Sequence, residues 1–191
     1  MKELSLFLLD IAKNSTAAGA ALTQISLIQT GDTLTMQIQD NGCGMSPDLL
    51  ARVTDPFTTT RTTRKVGMGI PLLKMTAEMT GGSFSITSQL GVGTCTTATF
   101  ITSSVDMPPL GDLAGSVMTL IQGSPDQDFL YTRQTDGGSF SLDTRELREM
   151  LQDVPLDTPE VSAWINDYLQ QQEAALQAEP EAGSGTEIRI Q

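Results

Sequence analysis

Histidine is absent from all 191 residues. Without imidazole there is no histidine general base, no histidine metal ligand and no histidine to phosphorylate. Cysteine is nearly absent as well. Cys43 and Cys95 form no CxxC pair, so neither a disulfide framework nor a zinc site is expected, and reduced thiols in a cytoplasm are the simplest reading. Long apolar runs are missing. Leu6 to Leu9 stops at Asp10, far short of the roughly 18 residues a membrane helix needs. No basic stretch leads into an apolar run with a small-residue cleavage site. The sequence therefore predicts a cytoplasmic chain without a membrane span. An apolar fraction of 39% is ordinary for a core former and too high for a disordered chain.

Positive charge is scarce in the second half. Residues 1–104 hold seven Lys/Arg and seven Asp/Glu, whereas residues 105–191 hold four and sixteen, so the second segment carries the whole net charge of −12. Nucleic acid binding needs a basic face, and no nucleic acid partner is expected. The acidic surface serves solubility or attracts a basic partner.

Leu4, Phe7, Leu8 and Ile11 recur at helical spacing and predict a helix over 3–17. Alternation predicts strands at 22–29 and 33–39, joined by Thr30-Gly31-Asp32. A glycine-rich turn at 40–45 precedes a short helix after Ser46, with Pro47 in its first turn. Residues 55–69 read as a loop, 70–80 as a helix ending at Gly81-Gly82, and 83–89 and 94–102 as a second hairpin. That mixture suggests helices layered on one antiparallel-rich sheet. Val105 to Pro109 reads as a linker. Beyond it come a helix at 111–122, a hairpin of 128–134 and 138–142, a helix at 144–152 opened by an Asp143/Glu146 capping box, and a helix from Thr158-Pro159 to 177. The tail from Ala178 has the composition of a disordered segment.

Four short segments carry groups suited to chemistry. Asp10 and Asn14 are four apart and share a helix face. An acid and an amide there can hold a hydrated magnesium ion and a reacting water, because magnesium prefers oxygen ligands and keeps several waters. Alone, the pair also reads as one surface acid and one surface amide. Asp40-Asn41-Gly42-Cys43-Gly44-Met45 follows a strand. Its glycines let the backbone approach a flat ligand, and a strand-end carboxylate can accept a hydrogen bond from the exocyclic amine of adenine, where guanine presents a keto oxygen. A plain tight turn would also suit its Asp-Asn start. Gly67-Met68-Gly69 leads into Ile70-Pro71, where helix amides favour an anion. Arg61, Arg64 and Lys65 add positive charge upstream, a combination that suits a triphosphate as well as a flexible surface loop. Gly91-Val92-Gly93-Thr94 lies between strands; a hairpin turn accounts for it, and Thr94 could add a hydroxyl contact to a base. No P-loop, dinucleotide fingerprint or kinase-type catalytic loop is present.

In this order the segments resemble the GHKL superfamily, the ATPase fold of MutL, gyrase and histidine kinases. Asp10 to Asn14 matches its N box, with Asn14 at the magnesium-binding asparagine. Asp40, Gly42 and Gly44 match the first glycine box, where the aspartate contacts adenine. Asp55-Pro56-Phe57-Thr58 is similar to the opening of the ATP lid in histidine kinases, Gly67 and Gly69 to the second glycine box, and Gly93-Thr94 to the last. Asn14-Ser15 with Ala18-Gly19-Ala20 also resembles MutL. The resemblance spans roughly 3–102. It implies an α/β two-layer sandwich of the Bergerat type over 1–104; the elements read beyond it make up a small acidic α+β module at 105–177. It also implies ATP and magnesium as cofactors. Asp10 then takes the general-base position, and Met45, Arg61, Arg64, Lys65, Met68, Ile70 and Thr94 join the glycines around the nucleotide.

Two departures shape the functional expectation. Hydrolysing members usually carry glutamate where this chain has Asp10, and a base displaced by about 1 Å can lose on the order of a hundredfold in rate. Slow hydrolysis, or binding with little turnover, is therefore expected. Without histidine the chain is not a self-sufficient histidine kinase. These features point to a magnesium-dependent ATP-binding regulatory or assembly factor acting on a protein partner. A serine/threonine kinase of the anti-sigma-factor type is the alternative. The 128–147 block is similar to small ATP-binding proteins encoded beside iron-only hydrogenase genes, which implies a partner linked to that system. Superfamily members often dimerise through appended segments. Val161, Trp164, Ile165, Tyr168 and Leu169 could supply such a face, or could pack on the chain's own hairpin.

Overall fold

The computed structural model describes residues 2–57 and 68–178. Arg61, Arg64, Lys65, Gly67 and the tail beyond 178 lie outside them. The described elements are α1 (Leu4–Ala17), β1 (Leu22–Thr30), β2 (Thr33–Asp40), α2 (Pro47–Arg52), α3 (Gly69–Met79), β3 (Ser83–Gln89), β4 (Gly93–Ile101), α4 (Leu113–Gly123), β5 (Asp128–Thr135), β6 (Gly138–Asp143), α5 (Thr144–Leu151) and α6 (Pro159–Gln177). All six strands join one sheet in the order β3-β4-β2-β1-β5-β6.

Strand alternation builds two unlike faces. Ile25 and Leu27 of β1, Leu34, Met36 and Ile38 of β2, Ala98 and Phe100 of β4, and Phe129 and Tyr131 of β5 are buried. They meet Leu4, Phe7, Leu8 and Ile11 of α1, Leu73 and Ala77 of α3, and Val117 and Ile121 of α4 in one core. The residues between them on β1 to β4 are mostly Ser, Thr and Gln, and form the face that no described helix covers. The chain is thus a helix layer on one face of a mixed sheet, the two-layer α/β arrangement of the Bergerat type.

The sheet runs straight through the boundary at 104. β5 lies parallel to β1, from Leu22 opposite Asp128 to Ile28 opposite Gln134. The segment read as a linker serves as a cap. No side chain caps α1; instead Leu4 N donates to Pro109 O and Ser5 N to Leu110 O, both at 2.9 Å, which satisfies amides a helix start leaves unpaired. Between the hairpin turns, Gly31 N donates to Asp136 Oδ2 at 2.8 Å. The capping box expected at α5 gives way to a simple N-cap: Asp143 accepts from Arg145 N at 2.9 Å, one position earlier than a box requires.

The core also holds an ion pair that composition does not announce. Arg133 on β5 and Glu173 on α6 are 1% and 5% exposed. Glu173 Oε1 accepts from the Tyr131 hydroxyl. Glu173 Oε2 faces Arg133 Nε at 3.4 Å without hydrogen-bond alignment. Arg133 Nη1 also donates to the Leu27 and Gln134 carbonyls. Burial, and then the Glu173 charge, push the Tyr131 phenol far above its ordinary range. Removing one buried partner strands the other charge, at a cost of roughly 3–5 kcal/mol. Glu173→Gln should therefore lower urea-unfolding stability by about 3 kcal/mol or more, and Arg133→Met with Glu173→Leu should recover much of it. A Glu173→Gln loss below about 1 kcal/mol contradicts the pair's role.

Two carboxylates, exposed Asp32 and half-buried Asp143, give an acid dependence. The Arg145 side chain holds the Asp143 carboxyl below its ordinary value of 3.8, and the Ser103 and then the Thr102 hydroxyls do the same for Asp32. Each folded-state value lies below the unfolded one. Their stabilisation is thus complete above about pH 4 and is lost as pH falls through the depressed values. The melting-temperature gap between the chain and Asp143→Asn should narrow on acidification from pH 5 to pH 2; a constant gap contradicts the account.

Candidate functional site

The site is built where β2 ends against α1. Asp40 closes β2, and its carboxylate is held on both oxygens. Gly42 N donates to Oδ1 at 2.9 Å, and the buried Ser15 hydroxyl of α1 donates to Oδ2 at 2.8 Å. Each carboxylate oxygen keeps a second lone pair for a ligand donor. Gly42 is forced by contact: a Cβ there would lie 2.8 Å from Ala18 Cβ and 2.9 Å from Ala18 O. Cys43 N donates to that same Ala18 carbonyl at 2.9 Å, so the end of α1 and the glycine turn are stapled together. Asn41 anchors the other side, its Oδ1 accepting from Ala21 N and Leu22 N at 2.9 Å each.

The β3–β4 hairpin completes this wall. Thr94 sits opposite Asp40 in the β2–β4 register. The Ser88 hydroxyl gathers Met45 N at 2.8 Å, the Gly93 carbonyl at 3.0 Å and Thr94 Oγ1 at 2.8 Å. Gly44, at φ +66, and Gly93, at φ +145, each approach backbone so closely that a Cβ would fall on the Gln89 and Asp40 carbonyls respectively.

On α1, Asp10 and Asn14 precede Ser15 by five residues and by one, so one helix carries all three toward the same end of the sheet. The Asn14 amide is half-buried and has no hydrogen-bond partner among the described residues. Asp10 Oδ2 pairs with Lys2 Nζ at 2.9 Å, both side chains 42% exposed. The start of α3 meets Asp10: a Cβ on Gly69 would stand 3.2 Å from Asp10 Cβ. No described side chain caps α3, so its first amides, at Gly69 and buried Ile70, form the positive end of the helix. Met68 is exposed.

Shared contacts and register thus join Asp40, Gly42, Gly44, Met45 and Thr94, and a second contact sets Asp10 beside Gly69; Asn14 and Ile70 are placed only by their positions on α1 and α3. Arg61, Arg64, Lys65 and Gly67 lie outside the described residues. Sequence reasoning missed Ser15 as the donor to Asp40, Ser88 as the hub, Asn41 as the anchor and Lys2 as the partner of Asp10. Only Asn41 had a local signal, in the Asx-turn habit of an Asp-Asn-Gly turn. A cleft of about 520 Å³ at this sheet end is lined by Asp40, Asn41, Ser88, Gly93 and Thr94 of the constellation together with Gln24, Gln39, Thr87 and Cys95 of the sheet face opposite the helix layer.

Residues 2–103 match the sequence profile of the histidine kinase-, DNA gyrase B- and HSP90-like ATPases. The chain belongs to this family. Membership implies ATP binding by the domain. Its curated relatives include a probable C4-dicarboxylate sensor kinase of Bacillus subtilis, 37% identical over 70 residues, which are 37% of this chain and 13% of that protein. A C4-dicarboxylate transport sensor protein of Rhodobacter capsulatus is 35% identical over 75 residues, 39% of this chain and 11% of the relative. The chain thus spans only a small part of these relatives. Among solved structures, the N-terminal domain of a DNA repair protein shares the fold, with a TM-score of 0.52 at 14% identity, over 75% of this chain and 52% of that one. No helix among the described residues is long and apolar enough to cross a membrane.

Close approach at Gly93 gives a direct check. Gly91→Ala, at φ +79 with open space around it, should cost about 1–2 kcal/mol of backbone strain. Gly93→Ala should cost clearly more, because its Cβ displaces the Asp40 carbonyl. Equal losses in urea unfolding contradict the tight β2–β4 seam.

Proposed function

We propose that this constellation binds ATP with magnesium and works as a slow, ATP-controlled switch for a protein partner. The observation that carries the reading is the Asp40 carboxylate. It is fixed on two oxygens by Ser15 and Gly42, yet each oxygen retains accepting capacity toward an adenine amine. Guanine would set its keto oxygen against that carboxylate, and unpaired buried groups of this kind discriminate strongly.

The residues fit the nucleotide. Gly42, Gly44 and Gly93 leave no room for side chains where the backbone closes on itself, and the start of α3 offers amides to phosphate. Among the described residues no three His, Cys, Asp or Glu side chains gather to hold a metal. A magnesium ion would therefore rely on the Asn14 amide oxygen, water and phosphate oxygens. Bound there, it would neutralise phosphate charge. Asp10 stands beside Asn14's face of α1 and the α3 start, where its carboxylate can take a proton from an attacking water. Lys2 occupies Oδ2 in the resting chain, which restrains that role. The acidic segment from 105 onward, joined to β1 by a parallel ladder, is the route by which the nucleotide state would reach a partner. The resemblance to proteins encoded beside hydrogenase genes says where to look for that partner.

Calorimetric titration tests the pocket. ATP should bind more tightly with magnesium than without and at least about a hundredfold more tightly than GTP, and Asp40→Asn should abolish that preference. Equal ATP and GTP binding contradicts the proposal. Basal phosphate release should stay below about 1 per second and fall to background in Asp10→Asn. Lys2→Ala should raise it by about two- to fivefold, the scale of an exposed ion pair; an unchanged or lower rate removes Lys2 as a restraint. Transfer of labelled phosphate to a partner serine, in place of release, would favour the kinase alternative.

A further inference from the structure

The sheet has two edges, β3 and β6, and they are finished differently. Both contain Ser-Phe-Ser, and neither contains the Lys or Pro that blunts an edge against other chains. β3 is shielded: α2 packs along it, and the glycine turn closes on its end through Gly91 N to Cys43 O and Met45 N to Ser88 Oγ. Among the described residues, β6 has only β5 and α6 as its main neighbours. The Tyr168 hydroxyl reaches the Ser141 carbonyl at 3.4 Å, so that carbonyl points away from β5. In an antiparallel ladder the N–H and C=O of one residue point the same way. Ser139 and Ser141 therefore turn backbone donors and acceptors outward.

Beside this edge, α6 carries an aromatic pair of which Tyr168 packs against the core and Trp164 lies outside it. Ile165 and Leu169 are fully buried against the sheet and α4 side, whereas Trp164 is 55% exposed. Trp164 stacks on Tyr168 with ring centres 5.7 Å apart and planes at 10°, and Tyr168 meets Phe140 of β6 edge-on. An exposed tryptophan next to outward-facing strand groups is interface material.

We infer that β6 and the Trp164–Tyr168 face of α6 form a twofold interface with a second copy of this chain. The two β6 strands pair antiparallel and continue the sheet across the axis. Symmetry selects this occupant. A twofold normal to the sheet sets Ser141 against Ser141 of the other copy and Ser139 against Asp143, all outward-facing positions. For a chain of net charge −12, a like copy is tolerable only where charge is sparse. β6 carries one acid, Asp143, already paired with Arg145 at 2.7 Å, and the register keeps the two Asp143 residues apart. The same rotation leaves both helix layers on one side. The α6 helices then meet along the axis with the aromatic pairs in the seam. A strand edge about 20 Å long is too small alone to approach the ~800 Å² per partner of a stable interface; the 19-residue α6, about 28 Å long, supplies the rest.

Sedimentation velocity on the full chain without nucleotide tests this independently of the ATP reading. The expected mass is twice 20.4 kDa. Ser141→Pro removes an outward N–H and no ladder bond within the chain, so it should give a monomer with unchanged far-UV circular dichroism. Should that variant misfold, Trp164→Ala, at an exposed position, should still raise the dimer dissociation constant at least about tenfold. A full chain that stays monomeric at tens of micromolar overturns the inference, as does a dimer that neither change weakens. If removal of residues 179–191 is needed before the chain associates, the edge is taken by its own tail and the second copy is the wrong occupant.

Discussion

Everything in the site hangs on one carboxylate held from two layers at once. Asp40 belongs to the sheet, Ser15 to the helix layer, and the bond between them at 2.8 Å fixes how far α1 stands from the end of β2. Gly42 takes the other oxygen and turns the chain back under Ala18. A carboxylate with two fixed donors cannot rotate, so its remaining lone pairs point in set directions. That is the property a base-reading group needs, and it is why the ATP proposal leans on Asp40 rather than on the glycines alone.

Around this group the fold uses absence of side chain as a building rule. Gly42, Gly44, Gly69 and Gly93 sit where a methyl group would strike Ala18, Gln89, Asp10 or Asp40. These four glycines let α1, α3 and the two hairpins converge, and they are the ones the ATP proposal places around the nucleotide. Fold and site therefore share residues, and the site is not a decoration on a finished scaffold. The acidic second half has a comparable double role: β5 extends the sheet beside β1, while Pro109 and Leu110 complete the start of the helix that carries Asp10 and Asn14.

Much of this was legible from residue order. Period-two alternation placed the strands within about two residues, because each buries one face, and glycine boxes in sequence marked the turns that meet Asp40. Three things were hidden, each for a physical reason. The parallel pairing of β1 with β5 joins residues about a hundred apart in sequence, and alternation within a strand does not name its neighbour. Arg133 and Glu173 look like surface charges in sequence, since their mutual burial exists only once α6 lies on β5. Ser15 and Ser88 are ordinary serines until the strands and α1 bring their hydroxyls to Asp40 and Thr94. The aromatic helix face divided in the structure: Ile165 and Leu169 serve the chain's own core, and Trp164 does not.

The central claim is that the Asp40 carboxylate reads the amine edge of adenine. A crystal structure with a non-hydrolysable ATP analogue and magnesium measures it directly. The account predicts the exocyclic nitrogen of adenine at about 2.9 Å from an Asp40 oxygen, with Ser15 and Gly42 still bound to that carboxylate. An adenine ring seated elsewhere, or turned so that Asp40 faces no donor, would contradict it.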